Sequence, residues 1–334
     1  MGKKHALVFL LALAVSGSAL AADPVAPAVP ASQPAAQTIK VKNVKELIAA
    51  IGSNRVIELA PGDYDLSEIE HKATRNLRWG ADPNNGDDNS LVIRHVENLT
   101  LQCAGDKAAR ITTPDAAVTV LTFVDATNLT LRNLELVHDV QGDCSAGVIA
   151  LNDVHTVGIE KCTLSGSGSE GITAAEVDGL TFKNSIITHC SSTILTVTEM
   201  THATFVDSSF KDNKVTDTPL TFNKSSAVSF THCTFQSNKP EDANDIPEAF
   251  ISADDESKIE ITNCELNDNT GTDLLTGDGT ITTKDCTTKD NAFTFDPSEK
   301  HVPKNVPDPF GPGFHPGMGR GAAMGGVVIP APPP

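Results

Sequence analysis

A single short pattern is written eight times between Leu101 and Asn291, and this repeat constrains the fold more than any other feature of the chain. Each copy is centred on one anchor residue, and an apolar residue stands two positions before each anchor. The anchors are Leu101, Leu131, Ile159, Phe182, Phe205, Phe230, Ile261 and Thr283. They are separated by 22 to 31 residues, and self-similarity at such a period is typical of solenoids.

The spacing within each copy indicates strands, because residues two apart on a strand point to the same side. Offsets −2 and 0 from the anchor therefore face a core, and offsets +3 and +5 begin a second inward-facing strand. A polar residue at offset +2 turns the chain between the two strands: Asn133, Lys161, Asn184, Asp207, His232, Asn263 and Asp285. A second corner column lies at offset +8: Asp139, Ser167, Cys190, Asn213, Asn238, Asn269 and Asn291. Stacked coils lie about 4.7–4.9 Å apart, so the pattern predicts apolar rungs inside and an asparagine ladder at a corner.

These columns resemble the right-handed parallel β-helix of the pectate-lyase-like superfamily, and the resemblance covers residues 39–295. It implies an all-β solenoid. A short amphipathic helix from Lys42 to Gly52, with Asn43 as its N-cap, is predicted to cover the N-terminal end. The alternative is an antiparallel β-sandwich, which would not keep the same residue type at the same offset.

The two ends of the chain differ in composition from the repeats. Lys3, Lys4, an apolar run and Ala19-Leu20-Ala21 predict a signal peptide over residues 1–21, cleaved after Ala21. Residues 22–38 form an Ala/Pro-rich linker, residues 39–295 the β-helix domain, and residues 296–334 a disordered Pro/Gly-rich tail. We therefore expect a periplasmic or secreted protein that does not insert into a membrane.

The formal net charge is −18 at pH 7, which argues against nucleic acid and anionic membranes as partners. The same charge would repel a polyanionic sugar such as pectate unless a cation bridged the two. A cell-surface glycan or another polysaccharide is the partner that the superfamily suggests.

One candidate catalytic group lies on outward positions after the second inward strand. It contains His138, Asp139, His189 and Asp212. If the register holds, His189 and Asp212 lie on adjacent coils near hydrogen-bonding range, which would suit a general base oriented by a carboxylate. The other interpretation is an ordinary corner column of polar residues.

A column of acids at offset −6 forms a candidate binding site: Asp125, Asp153, Glu176 and Glu199. Neighbouring carboxylates on consecutive coils repel one another unless they are solvated or bridged by a cation. One interpretation is the carboxylate pair of a glycosidase, and the other is a solvated turn.

The loop over residues 82–89 suggests calcium as a cofactor, because oxygen ligands surround a Gly turn. The candidate ligands are Asp82, Asn84, Asp87 and Asp88. A solvated turn is the competing interpretation, since the terminal Glu of an EF-hand loop is missing.

Seven cysteines in an exported chain raise the question of disulfides. Four of them occupy the inward offset +3: Cys162, Cys233, Cys264 and Cys286. Either one adjacent pair is bridged or the thiols act as small buried hydrophobes. The stretch from His138 to Gly147 resembles a His…Gly-x-Cys-x-x-Gly stretch of bacterial β-helix proteins, which brings no activity with it.

The signatures of superfamily enzymes can be compared directly with this chain. Pectate lyases pair calcium-binding Asp residues with an Arg base, whereas Arg94, Arg110 and Arg132 are not set against an obvious acid cluster. Aromatic platforms for sugars are also scarce, since the chain has one Trp and one Tyr. We therefore expect a non-catalytic glycan-binding, protein-binding or scaffold module, with a polysaccharide lyase or glycoside hydrolase as the alternative.

Overall fold

The computed structural model describes residues 36–80, 90–139, 144–242, 244–293 and 300–301. In these ranges the strands form two sheets, and their pairing is parallel except at Leu77–Gly80 and Lys300–His301. The larger sheet contains Gln37–Val41, Arg55–Leu59, Leu77–Gly80, Ser90–Cys103, Leu121–Arg132, Ile149–Glu160, Glu170–Lys183, Thr193–Val206, Leu220–Asn223, Ser226–Thr231, Ala249–Ala253, Lys258–Thr262, Asp273–Thr276, Thr280–Lys284 and Lys300–His301. The smaller sheet contains Asp63–Asp65, Ala109–Thr113, Leu134–His138, Thr163–Ser165, Ile186–Thr188, Ser209–Lys211, Thr234–Gln236, Glu265–Asn267 and Thr287–Lys289. The predicted all-β parallel solenoid is confirmed.

Each coil turns at residues whose backbone is left-handed. Of the 24 non-glycine residues with positive φ in the described ranges, 23 fall at offsets −6, −3, +2 or +7 from an anchor, and Asn54 lies three residues before Ile57, the strand partner of the anchor Leu101. The polar column predicted to turn the chain at offset +2 is one of these four, from Asn133 (φ 54°) to Asp285 (φ 53°). Asn and Asp adopt this conformation more readily than other side chains, which explains why they dominate the corners.

Two of these columns bend the long strands of the larger sheet. In Ile149–Glu160, Asp153 (φ 51°) and Thr156 (φ 60°) both lie within the strand. The strand therefore consists of two extended segments joined by a bend over residues 153–156, and each full coil has three extended segments. The bend is an outward corner, and it carries the predicted acid column.

The core lies inside the coils and is built by stacking of like residues. The rings of Phe205 and Phe230 stack with centroids 4.5 Å apart, and those of Phe210 and Phe235 with centroids 4.8 Å apart. All four side chains are fully buried. The centroid distances match the spacing between neighbouring strands, as the repeat predicts.

The predicted asparagine ladder is present, with Asn213, Asn238 and Asn269 buried and Asn291 half-buried. Asn213 donates from Nδ2 to Oδ1 of Asn238 at 2.7 Å, Asn238 to Asn269 at 2.8 Å, and Asn269 to Asn291 at 3.0 Å. The Nδ2 atoms also donate to main-chain carbonyls of the preceding coil, such as Phe210 O at 2.9 Å from Asn238. The ladder thus satisfies buried polar groups along the corner.

The N-terminal helix spans Val44–Ala50 and packs against the first strands. Asn43 is its N-cap, as predicted, and accepts a hydrogen bond from Glu46 N at 2.9 Å. The helix is shorter than the predicted 42–52, because Ile51 is already extended and ends it before Gly52.

All seven cysteines are free thiols. Burial raises the pKa of Cys162 to about 11 and that of Cys190 to about 12. Six of the seven are buried, so the interpretation as small core residues holds for those six. Cys144 is partly exposed and differs from the rest.

Candidate functional site

The bend between offsets −6 and −3 forms one continuous outward surface, which we call the acidic corner. It comprises His95, Asp125, Asp153, His155, Glu176, Asp178, Glu199, Thr201, His202 and Lys224. The four predicted binding acids all lie on it, one per consecutive coil. Their φ values lie between 50° and 55°, so the same backbone geometry presents each carboxylate to solvent.

Imidazole groups meet carboxylates along this corner. His95 Nδ1 lies 2.6 Å from Asp125 Oδ2 on the next coil, and His155 Nε2 lies 3.4 Å from Asp153 Oδ1 on the same coil. The side chains of Asp125 and Asp153 remain 61% and 52% exposed, so both carboxylates are accessible to solvent. The acid column is therefore solvated and partly paired with histidine.

Asp178 is the most heavily bonded acid of the corner. The Thr201 hydroxyl donates to Asp178 Oδ1 at 2.5 Å, and His202 Nδ1 lies 2.8 Å from the same oxygen. These hydrogen bonds, first from Thr201 and then from His202, lower the pKa of Asp178. The group therefore stays a carboxylate and an acceptor at neutral pH.

The C-terminal end of the corner is a lysine–glutamate pair. Lys224 Nζ donates to Glu199 Oε1 at 3.1 Å, and this hydrogen bond raises the pKa of Lys224. The corner therefore presents both hydrogen-bond acceptors and donors over the coils from His95 to Lys224.

The other predicted site, at offsets +7 and +8, is not assembled as the register suggested. His189 (φ 58°) and Asp212 (φ 56°) are exposed left-handed residues on adjacent coils, as predicted. Among the described residues no hydrogen bond or ion pair joins them, and the His189 ring contacts Thr188 Oγ1 at 3.0 Å. Asp139 instead pairs with Arg110, at 3.4 Å.

His138 was expected on the same outward face and is buried instead, with 6% of its surface exposed. In the next coils the strand of the smaller sheet has three residues, and offset +7 follows it as a left-handed turn. Leu134–His138 has five residues, so the strand continues through offset +7 and pairs His138 with Thr113. The longer strand turns the imidazole inward and away from His189.

The proposed calcium ligands Asp82, Asn84, Asp87 and Asp88 lie outside the described residues. Within the described part of the chain, no group of three or more His, Cys, Asp or Glu side chains is arranged to hold a metal ion.

Two of the three arginines considered as candidate bases, Arg110 and Arg132, link neighbouring coils. Arg132 Nε donates to Glu160 Oε2 at 2.9 Å, and Arg110 lies 3.8 Å from Asp63 as well as near Asp139. Both arginines pair with individual acids on adjacent coils, so these ion pairs connect one coil to the next.

The histidines of the acidic corner were not predicted from the sequence. His95, His155 and His202 lie at offsets −6, −4 and −3, whereas the predicted column contains only the acids at offset −6. Alignment of the coils at every outward offset places these imidazoles beside the acids, but periodicity does not specify which side chains pair.

The fold defines the class of this protein as a parallel β-helix. The model of the right-handed β-helix region family matches residues 125–300, more than half of the chain, and the protein belongs to that family. A search of curated proteins finds no match. No helix in the described ranges is long and apolar enough to cross a membrane.

Solved structures with similar folds have very different sequences. A pectate lyase from Paenibacillus sp. 0602 superposes with a TM-score of 0.52 at 11% identity, covering 80% of this chain and 79% of the lyase. A pectate lyase variant from Xanthomonas campestris has a TM-score of 0.43 at 11% identity, with 81% and 83% coverage. A surface adhesin of Streptococcus pneumoniae has a TM-score of 0.39 at 11% identity, with 80% and 74% coverage. The first of these supports the fold and carries no activity over to this chain.

Proposed function

We propose that this protein is an extracytoplasmic β-helix that binds an extended glycan along the acidic corner without cleaving it. The observation that carries the proposal is the regular supply of exposed carboxylates and imidazoles on consecutive coils, from Asp125 to Glu199. A polymer of similar units can repeat the same contacts from coil to coil. Sugar hydroxyls donate to carboxylates and accept from imidazoles or lysine.

The sign of the charge selects the kind of glycan. The chain carries a net charge of −18, and the corner itself holds five acids against one lysine and three histidines. A uronic-acid polymer would be repelled by this surface, whereas a neutral or amino-bearing glycan would not. We therefore expect neutral or amino sugars to bind and polyuronates to be rejected.

The absence of cleavage follows from the solvation of the corner. A glycosidase needs one carboxyl group held protonated by burial or by a close like charge. The side chain of Glu199 is 47% exposed and paired with Lys224, and Asp178 has a lowered pKa. The lowered pKa keeps Asp178 ionised at neutral pH, and Glu199 is exposed and hydrogen-bonded rather than buried, so both acids suit binding better than proton donation.

The extracytoplasmic location rests on the signal-like N-terminus, whose residues lie outside the described ranges. Cleavage after Ala21 would be visible as the N-terminal residue of the mature protein isolated from the host. A mature chain that still begins with Met1 would contradict this part of the proposal.

Binding is tested by a glycan array followed by calorimetry with the best hit. The triple variant Asp153→Asn, Glu176→Gln and Glu199→Gln is compared with Glu135→Gln, Glu265→Gln and Asp290→Asn, which removes three charges elsewhere. We expect the first variant to weaken binding by about tenfold or more and the second by less than about twofold.

An array without any hit, or equal losses in the two variants, would contradict the binding site. Release of new reducing ends or unsaturated products during incubation would favour the alternative, a carbohydrate-active enzyme that uses the His189 and Asp212 face.

A further inference from the structure

Cys144 and His138 contact each other beside the end of the strand Leu134–His138. Cys144 Sγ lies 3.2 Å from His138 Nδ1, within hydrogen-bonding range of a thiol and an imidazole. Cys144 is partly exposed, whereas the other six cysteines are buried in the core. This thiol is therefore the one that combines access from solvent with a neighbouring base.

The main chain fixes which nitrogen of His138 carries the proton. His138 Nε2 lies 2.8 Å from the carbonyl oxygen of Gly147, and a carbonyl only accepts hydrogen bonds. Nε2 must therefore carry the hydrogen, and in the neutral ring Nδ1 keeps its lone pair. That lone pair faces the thiol of Cys144.

The protonation states of the pair follow from burial. Burial is the main cause that lowers the pKa of His138, so its ring is neutral at neutral pH. Besides Nδ1, Cys144 Sγ lies 3.3 Å from Ala116 O and 3.6 Å from Ala146 O. Both carbonyl oxygens can accept a hydrogen bond from the thiol, and the unprotonated Nδ1 of the neutral His138 ring faces the same sulfur.

Two glycines of the next coil hold the backbone of the pair in place. A Cβ atom on Gly168 would lie 1.4 Å from the carbonyl oxygen of Cys144. A Cβ atom on Gly166, at φ 81°, would lie 2.8 Å from the carbonyl oxygen of His138. Ser145 N also donates to Ala116 O at 2.8 Å on the preceding coil. Cys144 is thus packed between two coils, which fixes its position relative to His138.

A small cavity of about 160 Å³ lies on the neighbouring coils. Its lining includes Leu66, His71, Trp79, Leu91, Thr113 and Asp115. Thr113 is the strand partner of His138, and Asp115 precedes Ala116, whose carbonyl contacts the thiol. The stacked rings of His71 and Trp79, 4.3 Å apart, form one side of this cavity, and neither Cys144 nor His138 lines it.

We propose that Cys144 and His138 form a nucleophilic dyad that accepts a short acyl group from an ester or thioester. The sulfur bonds to the carbonyl carbon while its proton passes to His138 Nδ1. The alcohol or thiol of the donor then leaves and takes that proton, which gives an S-acyl cysteine and a neutral imidazole. Water attacks the acyl carbon with Nδ1 as the base, and the departing sulfur recovers the proton.

Two titratable groups lie near the dyad, the Asp115 carboxylate and the buried Cys190 thiol. The Asp115 carboxylate favours a positive charge on His138 and so supports the transient imidazolium. Burial is the main cause that raises the pKa of the neighbouring Cys190 thiol, with smaller contributions from Glu170 and Cys144, so Cys190 stays neutral.

The test uses the full mature protein and p-nitrophenyl acetate. Acetyl adducts are mapped by peptide mass spectrometry, and p-nitrophenolate release is followed as a function of pH. We expect the acetyl group on Cys144 and a rate that becomes independent of pH above about 6.5, where His138 is neutral. An unassisted thiol would instead keep gaining about tenfold per pH unit up to its pKa near 8.5.

Two variants test the roles of the Cys144 thiol and the His138 imidazole, and a third serves as a control. Cys144→Ala should abolish the mapped adduct, and His138→Asn should slow acetylation by about 100-fold or more. His232→Asn, which replaces an exposed histidine far from the pair, should leave the rate unchanged. Far-UV circular dichroism and the thermal midpoint show whether His138→Asn is folded.

If His138→Asn does not fold, the pH profile of the wild-type protein decides alone. Adducts spread over other residues, or a rate that rises steadily through pH 8.5, would overturn the dyad.

Discussion

Asn238 donates a hydrogen bond from Nδ2 to Oδ1 of Asn269, 2.8 Å away on the next coil, and both side chains are buried. Each amide in this column therefore satisfies groups on two other coils. Removal of one amide therefore leaves polar atoms without hydrogen-bond partners on both neighbouring coils.

Asn238→Ala is accordingly expected to destabilise the protein by about 1–3 kcal/mol, because it strands the Asn213 amide and the Phe210 carbonyl. Chemical denaturation measures the free energy of unfolding. Asn267→Ala, at a half-buried position two residues from the ladder, is the control and should cost less than about 0.5 kcal/mol. Equal costs for the two variants would show that the ladder does not contribute.

The stacked phenylalanines predict a large cavity effect. Phe205→Ala should lower the free energy of unfolding by about 3–5 kcal/mol, because the ring is fully buried between Phe182 and Phe230. Ile246→Ala removes a half-exposed side chain and should change it by less than about 0.5 kcal/mol. A small effect at Phe205 would contradict the described core.

Left-handed corners allow one stabilising substitution. Ala227 has φ 53° and an exposed side chain, a conformation that Asn tolerates better than Ala. Ala227→Asn should raise the free energy of unfolding by about 0.5–1 kcal/mol, whereas the β-branched Ala227→Val should lower it. Thermal and chemical unfolding of the two variants provide the comparison, and the opposite order would refute the assigned backbone.

Gly168 packs closely against the main chain of Cys144, and a substitution at this glycine tests that packing. Gly168→Ala would place Cβ 1.4 Å from a main-chain oxygen, so the loop that carries Cys144 must move. We expect a lower melting temperature and a changed rate of Cys144 modification. Gly158→Ala, whose nearest neighbour would be 3.9 Å away, should keep both close to wild type. Unchanged modification in Gly168→Ala would argue against this packing.

The lowered pKa of His138 makes the stability depend on pH. Below pH 6.5 His138 takes up a proton in the unfolded chain. In the folded protein the same side chain takes up its proton only at a lower pH. The free energy of unfolding should therefore decrease as pH falls from 6.5 towards the pKa of the folded state, by at most about 1.4 kcal/mol per pH unit. Above pH 6.5 this contribution is complete.

Denaturation series between pH 5 and 8 measure this slope. His138→Asn should remove the part due to this residue, while His232→Asn should retain it. The same slope in all three proteins would assign the pH dependence to other groups.

The sequence by itself determined the solenoid, its inward rungs and the asparagine ladder. These features follow from the two-residue period of strands and from stacking of identical positions, so Phe205 over Phe182 and Asn238 over Asn213 could be read from spacing alone. The N-cap Asn43 could also be predicted from the sequence, because capping depends on only a few neighbouring residues.

Tertiary structure decided which outward side chains meet. The coils differ in length from 22 to 31 residues, and the longer strand Leu134–His138 carried the imidazole inward to Cys144 rather than outward toward His189. The Asp178–His202 pair likewise joins different offsets of two coils. Contacts of this kind depend on side-chain direction and on local strand length, which periodicity does not specify.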